Sequence, residues 1–297
     1  MTEDTRTHEP AVDLYDPRRR YDVRWRDVTY REGGSESWLA RVYEPQGTGP
    51  FPAVLEIHGG AWNNYDRTQN AGTDLAIAAS GLVVVAIDFH LASRAPYPAS
   101  IADVNYATRW LKTQAESFNA TPDAVGALGY SSGGHMAMLA AMRPSDPRYT
   151  ALPLESAPDV DASLAYVVMG WPVLDPYARY LYAKGLGRTM LIESHHRFFV
   201  DEATMREANP QLILERGENV ALPPVLIVQG ADDDVLSPRT AERFVEAYGR
   251  AGGMIELALY PGAGHAYTRD SGPNTARTID TIASFVARQF AATSQGW

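Results

Sequence analysis

The stretch Gly129-Tyr130-Ser131-Ser132-Gly133-Gly134-His135 decides the reading of this chain. It contains Gly-x-Ser-x-Gly and sits between the apolar run Ala124 to Leu128 and an amphipathic run from Ser132 to Met142. A serine hydroxyl is a poor nucleophile unless the backbone holds it clear of the packed sheet. A sharp strand-to-helix turn does this and needs small residues on both sides, here Gly129 and Gly133. The same turn aims the N–H of Ser132, at the start of a helix, toward an anion forming beside Ser131. The five-residue pattern alone would recur by chance in roughly one chain of this length in ten, so its surroundings must carry the argument.

Working outward, Val23 to Arg31 and Trp38 to Tyr43 alternate apolar and polar residues and read as a hairpin turning at Gly33-Gly34. Ala53 to Ile57, Leu82 to Ile87, Ala124 to Leu128, Leu164 to Met169 and Val225 to Val228 are continuous apolar runs. Such runs suit parallel strands buried on both faces. Ile255 to Tyr260 reads as a further strand, at an edge where two copies of the chain could pair. Helical patterns over Asn70 to Ala79, Ile101 to Ala115, Ser132 to Met142, Pro238 to Gly249 and Thr275 to Phe290 lie between or after the strands. The alternation predicts an α/β fold: a mostly parallel sheet of about eight strands with helices on both faces. The alternation breaks over 171–222, about fifty residues rich in Tyr, Phe, Arg and His. An insertion of that length and aromatic content predicts a cap over the pocket. The expected organisation is an N-terminal extension over 1–22, either part of the cap or trailing in solvent, and one α/β domain over 23–297 with the cap inserted at about 171–222.

Composition narrows the function. The formal net charge of −10 over 297 residues argues against a nucleic-acid binder, which needs a basic face. The chain has no cysteine, which excludes disulfides, thiolate metal sites and a cysteine nucleophile. Residues 1–22 are polar with no apolar leader, and no uncharged run is long enough to span a bilayer, so the expected location is cytoplasmic.

If Ser131 is a nucleophile, it needs a base, a group that orients the base, and donors for the oxyanion. His265, in Gly262-Ala263-Gly264-His265 after the last predicted strand, is the base best placed to reach the strand ends. His8, His58, His90, His135, His195 and His196 lie in the tail, other motifs or the presumed cap. The orienting carboxylate is expected in Gly230-Ala231-Asp232-Asp233-Asp234. Asp233 is favoured, with Asp232 and Asp234 as alternatives and two of the three a solvated turn. The oxyanion donors are expected from His58-Gly59-Gly60-Ala61-Trp62, with Gly60 and Ala61 joining Ser132. Trp62, Tyr130, Phe198 and Phe199 are the expected aromatic residues of the substrate pocket.

His-Gly-Gly-x-Trp, Gly-x-Ser-x-Gly-Gly-His, Gly-x-x-Asp and Gly-x-Gly-His, in that order, resemble the α/β-hydrolase superfamily over roughly residues 23 to 292. The resemblance is to carboxylesterases around the hormone-sensitive-lipase and kynurenine-formamidase-like branches. Tyr97-Pro98-Ala99-Ser100-Ile101-Ala102-Asp103-Val104 and Glu207-Ala208-Asn209-Pro210 are similar to segments flanking the nucleophile strand and leaving the cap, and Asp103 reads as structural. His58-Gly59-Gly60-Ala61-Trp62 and Gly129-Tyr130-Ser131-Ser132-Gly133 stand where the hormone-sensitive-lipase branch usually has His-Gly-Gly-Gly and Gly-Asp-Ser-Ala-Gly, and lean toward the formamidase-like and feruloyl-esterase-like neighbours. The resemblance implies a serine hydrolase of small to medium carboxylic esters, with an arylformamidase-type amidase as the alternative on the same residues. Neither reading asks for a metal or an organic cofactor. The expected partner is a small-molecule ester or amide.

Overall fold

The computed structural model describes residues 15, 16, 18–34, 36–236 and 239–294. Eight strands form one sheet: β1 (Val23–Gly33), β2 (Glu36–Pro45), β3 (Phe51–Ile57), β4 (Val83–Ile87), β5 (Ala120–Tyr130), β6 (Val167–Gly170), β7 (Val225–Gly230) and β8 (Ile255–Tyr260), in the spatial order β1-β2-β4-β3-β5-β6-β7-β8. The alternating hairpin β1–β2 is antiparallel, and β2 also runs antiparallel to β4. Every pairing from β4 through β8 is parallel. The difference follows the sequence pattern. β3 and β4 are buried along their whole length, as strands covered by helices on both faces must be, whereas β1 is largely exposed. β8 closes the sheet at one edge, as its half-exposed pattern predicts.

The helices are α1 (Ala71–Ala78), α2 (Ala99–Gln114), α3 (Ser132–Met142), α4 (Pro176–Gly185), α5 (Thr189–Phe199), α6 (Glu202–Glu207), α7 (Pro210–Glu215), α8 (Thr240–Arg250) and α9 (Pro273–Ser294). The predicted helix starts at Thr240, not Pro238, which lies outside the described residues. The break in alternation between β6 and β7 is filled by α4 to α7. Asp175, Asp201 and Asn209 cap three of these helices, each side chain accepting a backbone N–H of the first turn. Among the described residues no helix is long and apolar enough to cross a membrane.

Of the N-terminal extension expected over 1–22, residues 1–14 and 17 lie outside the described residues. The described part packs against the last helix. Tyr15 donates its hydroxyl to the Ala283 carbonyl at 3.2 Å and sits edge-on to Phe290. Tyr21 donates its N–H to Ala79 at 2.9 Å.

Register places the functional loops. Ile57 is level with Gly129, Tyr130 with Gly170, Gly170 with Val228, and Gly230 with Tyr260. Five parallel strands therefore end along one edge, and the loops that follow them emerge side by side. Ligand sites in open α/β sheets lie at such carboxyl ends.

Behind this edge the core holds an acidic pair. Glu56 on β3 and Asp74 on α1 are fully buried. Asn70 donates to Glu56 Oε1 at 2.8 Å, but Glu56 Oε2 and both Asp74 oxygens have no hydrogen-bond partner among the described residues. Burial pushes the Glu56 carboxyl up to about 8, against the contrary pull of Asn70. Burial, then the neighbouring Glu56, raises Asp74 well above the carboxylate range. The folded protein thus holds protons that the unfolded chain has released, and stability falls as pH rises from about 4.5 toward about 8. Glu56→Gln is expected to flatten that slope and to leave the protein more stable at pH 9 by on the order of 1 kcal/mol. Urea unfolding from pH 5 to 9 measures this; a variant less stable than the parent at pH 9 contradicts it.

Candidate active site

β5 ends in a turn so tight that its glycines cannot be replaced without a clash. A Cβ on Gly133 would run into the carbonyls of Ile57 and His58, and one on Gly129 would meet the backbone of Gly133 and Gly134. Between them Ser131 takes φ 53° and ψ −115°, a left-handed conformation that a non-glycine residue adopts only under constraint. Its N–H donates to Gly170 at 2.9 Å, and its carbonyl accepts from Val173 at 3.0 Å, which fixes the strained residue to the loop after β6.

The geometry brings Ser131, His265 and Asp233 together. His265 Nε2 lies 3.0 Å from Ser131 Oγ, and His265 Nδ1 lies 2.7 Å from Asp233 Oδ2. Asp233 Oδ2 also accepts from Gln229 Nε2 at 2.9 Å. Its Oδ1 accepts the N–H groups of Val235 at 2.9 Å and Leu236 at 3.3 Å. Burial works to raise the Asp233 carboxyl, but the hydrogen bond and charge of His265, with these other donors, hold it below its ordinary value. It is ionised at neutral pH and orients Nδ1–H toward itself, leaving Nε2 as an acceptor for the serine proton. Asp232 and Asp234 are exposed, and Asp234 is engaged by Arg188 at 2.8 Å.

The loop after β3 faces Ser131. Gly60, Ala61 and Trp62 all have positive φ, at 104°, 51° and 63°. The N–H groups of Gly60, Ala61 and Ser132 make no hydrogen bond among the described residues, whereas that of Trp62 donates to Ser132 Oγ at 3.1 Å. His58 anchors the loop start: its Nδ1 is 2.8 Å from the Gly59 carbonyl and its ring stacks on Phe89 at 4.3 Å. Burial pushes His58 down to about 4, so it is neutral and Nδ1–H is the donor.

Ser131 and His265 open onto a cavity of about 220 Å³. Its sheet side is formed by Gly60, Ala61 and Trp171, and its far side by Arg179 of α4 and Leu191 and Ser194 of α5. Tyr130 borders the cavity, but its hydroxyl is buried.

The expected aromatic pocket is corrected at three positions. Trp62, Phe198 and Phe199 are buried and stand behind the cavity, not on its wall. Trp62 stacks on Phe198 at 5.0 Å and meets Phe199 edge-on at 5.2 Å. Its indole N–H donates to His135 Nδ1 at 3.2 Å, and His135 Nε2–H donates to the Ala208 carbonyl at 2.8 Å. Burial pushes His135 down to about 4, which keeps the ring neutral and suits this one-donor, one-acceptor role. His195 is buried in the same cluster, while His196 is exposed and lies 3.1 Å from the Tyr180 hydroxyl. His90 is bound by Asp103 at 2.7 Å, and Asp103 also takes Arg31, which accounts for a buried acid remote from Ser131. His8 lies outside the described residues.

Sequence reasoning missed Trp171 and Arg179. Trp171 follows Gly170 at a strand end, stacks on Tyr130 at 5.2 Å and lies edge-on to His265 at 6.2 Å. Its place at a strand end was a usable cue. Arg179 lies in an ordinary amphipathic stretch, and nothing local marks it.

A family model described as BD-FAE matches residues 41–248, a span that holds the Gly60 loop, Ser131 and Asp233. The chain belongs to the BD-FAE family. Outside that family model, the chain is similar to esterase LipC of Mycobacterium tuberculosis, with 31% identity over 80% of this chain and 59% of LipC. It is also similar to the probable carboxylic ester hydrolase LipM of the same organism, with 26% identity over 91% of this chain and 62% of LipM. The chain thus spans about 60% of the length of these curated relatives. Among solved structures, Thermogutta terrifontis esterase 2 phosphorylated by paraoxon shares the fold, with TM-score 0.69 and 21% identity over 89% of this chain and 94% of that one. The α/β-hydrolase fold expected from the motif order is therefore the fold of this BD-FAE chain.

Because the turn after β5 has no room for a Cβ at Gly133, Gly133→Ala is expected to destabilise the protein by about 2 kcal/mol or more. Chemical denaturation reads this as a lower midpoint at unchanged slope. A midpoint equal to the parent's overturns the close-approach argument.

Proposed function

We propose that the protein is a serine hydrolase that cleaves carboxylic esters of small substrates through an acyl-enzyme. The observation that carries the reading is the continuous relay from Asp233 through His265 to Ser131 Oγ, beside three backbone N–H groups that have no other partner among the described residues. In the proposed reaction Ser131 Oγ attacks the ester carbonyl as His265 Nε2 takes its proton. Asp233 stabilises the imidazolium that forms. The carbonyl oxygen, now an anion, lies against the N–H groups of Gly60, Ala61 and Ser132, each worth about 2.7–4 kcal/mol to the transition state. His265 returns the proton to the departing alkoxide. Water then attacks the acyl-serine by the same relay and frees the acid.

The ester class is supported by LipC and LipM, both named as ester-cleaving enzymes. The reactive serine is supported by the phosphorylation of the Thermogutta esterase by paraoxon. A cavity of about 220 Å³ favours a short acyl chain. The helices α4 to α7 act as the cap, since α4 and α5 furnish the wall opposite the sheet.

With 4-nitrophenyl butyrate as substrate, Ser131→Ala is expected to lower kcat at least 10³-fold, and Asp233→Asn by about 10³–10⁴-fold through loss of the correct imidazole tautomer. Paraoxon is expected to add one diethylphosphoryl group to the parent and none to Ser131→Ala, read by intact mass. Unchanged turnover in Ser131→Ala removes Ser131 as nucleophile. Efficient turnover of N-formylkynurenine with none of any ester removes the ester reading.

A further inference from the structure

The chain carries a net charge of −10, yet the cavity beside Ser131 has the opposite character. Arg179 and Arg269 line it, and among the described residues no carboxylate does. Arg269 lies over the Tyr65 ring at 5.5 Å, and the Gln69 amide, turned with its oxygen toward the guanidinium, accepts from it at 2.8 Å. Arg179 is different. It is only 2% exposed, and its Nε and Nη1 have no hydrogen-bond partner among the described residues. Asp233 acts on it through space, but that carboxylate is already committed to His265, Gln229 and two backbone N–H groups. The face of Trp62, 5.7 Å from the guanidinium carbon, holds Arg179 in place without satisfying its donors.

A buried guanidinium with unmet donors is costly, because burial strips its water and nothing replaces it. Arg31 and Arg67 also leave Nε without a partner among the described residues, but carboxylates take their terminal nitrogens: Asp103 for Arg31, and Asp88 and Asp27 for Arg67. Arg143, also largely buried, has Glu207 and Glu218 each at 2.6 Å. Arg179 lines the cavity, and a planar guanidinium matches a carboxylate, which can accept two of its hydrogen bonds at once. We infer that Arg179 is the recognition residue for an anionic group on the substrate, so that the preferred esters carry a carboxylate on the acyl or the alcohol side. The inference rests on the serine-esterase reading above and adds the substrate class to it. The placement is on α4, outside the sheet that carries the reacting groups. The charge therefore selects the substrate and takes no part in the proton relay.

Paired substrates test this with the full chain. On the acyl side, the mono-4-nitrophenyl ester of glutaric acid is compared with 4-nitrophenyl hexanoate. On the alcohol side, 4-carboxyphenyl acetate is compared with 4-carbamoylphenyl acetate. In at least one pair the anionic member is expected to have the higher kcat/KM, by about 10- to 100-fold, the range of a charge-assisted hydrogen bond. Within each protein the ratio cancels losses from folding. Arg179→Gln should bring that ratio to near one, and Arg179→Lys should keep part of it. A ratio near one in both pairs for the parent, or a ratio that Arg179→Gln leaves unchanged, overturns the inference while the esterase reading stands. If no ester is turned over, the esterase reading fails, and binding decides the role of Arg179. Glutarate is expected to raise the melting temperature of Ser131→Ala and not that of the Ser131→Ala/Arg179→Gln double variant. An equal shift in both, or none in either, overturns it.

Discussion

The site depends on one steric constraint: the turn after β5 is pressed against the end of β3 with no side chain between them. Gly133 sits where a single added carbon would strike the Ile57 and His58 carbonyls. That contact lets α3 begin immediately behind the sheet edge and forces Ser131 into its left-handed conformation. It also fixes the distance between the Gly60-Ala61 segment and Ser132, whose N–H groups have no partner among the described residues. The Ser132 hydroxyl completes the link by accepting the Trp62 N–H at 3.1 Å. Ser132 therefore serves twice, with its backbone turned to the cavity and its side chain tying down the opposite loop.

A second layer connects this edge to the helices between β6 and β7. Trp62, His135, Phe198 and Phe199 pack as one buried cluster that joins the β3 loop, α3 and α5. Each aromatic pair of this kind contributes about 0.5–1.5 kcal/mol beyond the area it buries. The neutral His135 bridges the Trp62 indole and the Ala208 carbonyl, so the loop bearing Gly60 and Ala61 is held from behind. Glu207 and Asn209 secure the same segment from outside. Glu207 accepts from Arg143, Arg148 and the Tyr97 hydroxyl, and Asn209 donates to Asp175 at 2.9 Å. Trp62, Phe198 and Phe199 therefore set the position of the wall, and Tyr130, Trp171, Leu191 and Arg179 are among the residues that form it.

Much of this was legible in the sequence because it follows local rules. Continuous apolar runs gave the parallel strands, and alternation with a Gly-Gly turn gave the antiparallel hairpin. Glycines flanking Ser131, a Gly-Gly pair after β3, and loops opening with Gly230 and Gly262 marked the strand ends where backbones come close. Asp233 among three acids was separable from Asp232 and Asp234 by its offset from Gly230. Its separation from them in burial came only with the fold. Aromaticity, by contrast, does not say which side of a helix faces a cavity. Phe198 and Phe199 have the same composition cue whether they line a pocket or brace one.

By itself, then, the sequence determined the order of the elements and the residue types at each strand end, since strand burial and turn sterics act within a few residues. Which loops meet was decided by tertiary structure. The parallel register ends β3, β5, β6, β7 and β8 along one edge, and so brings residues as distant as Ser131 and His265 to 3.0 Å. The same holds for charge. An arginine in an amphipathic stretch is read as solvated, and only the packing of α4 over the sheet edge takes Arg179 out of water and leaves it facing the cavity without a counter-ion among the described residues.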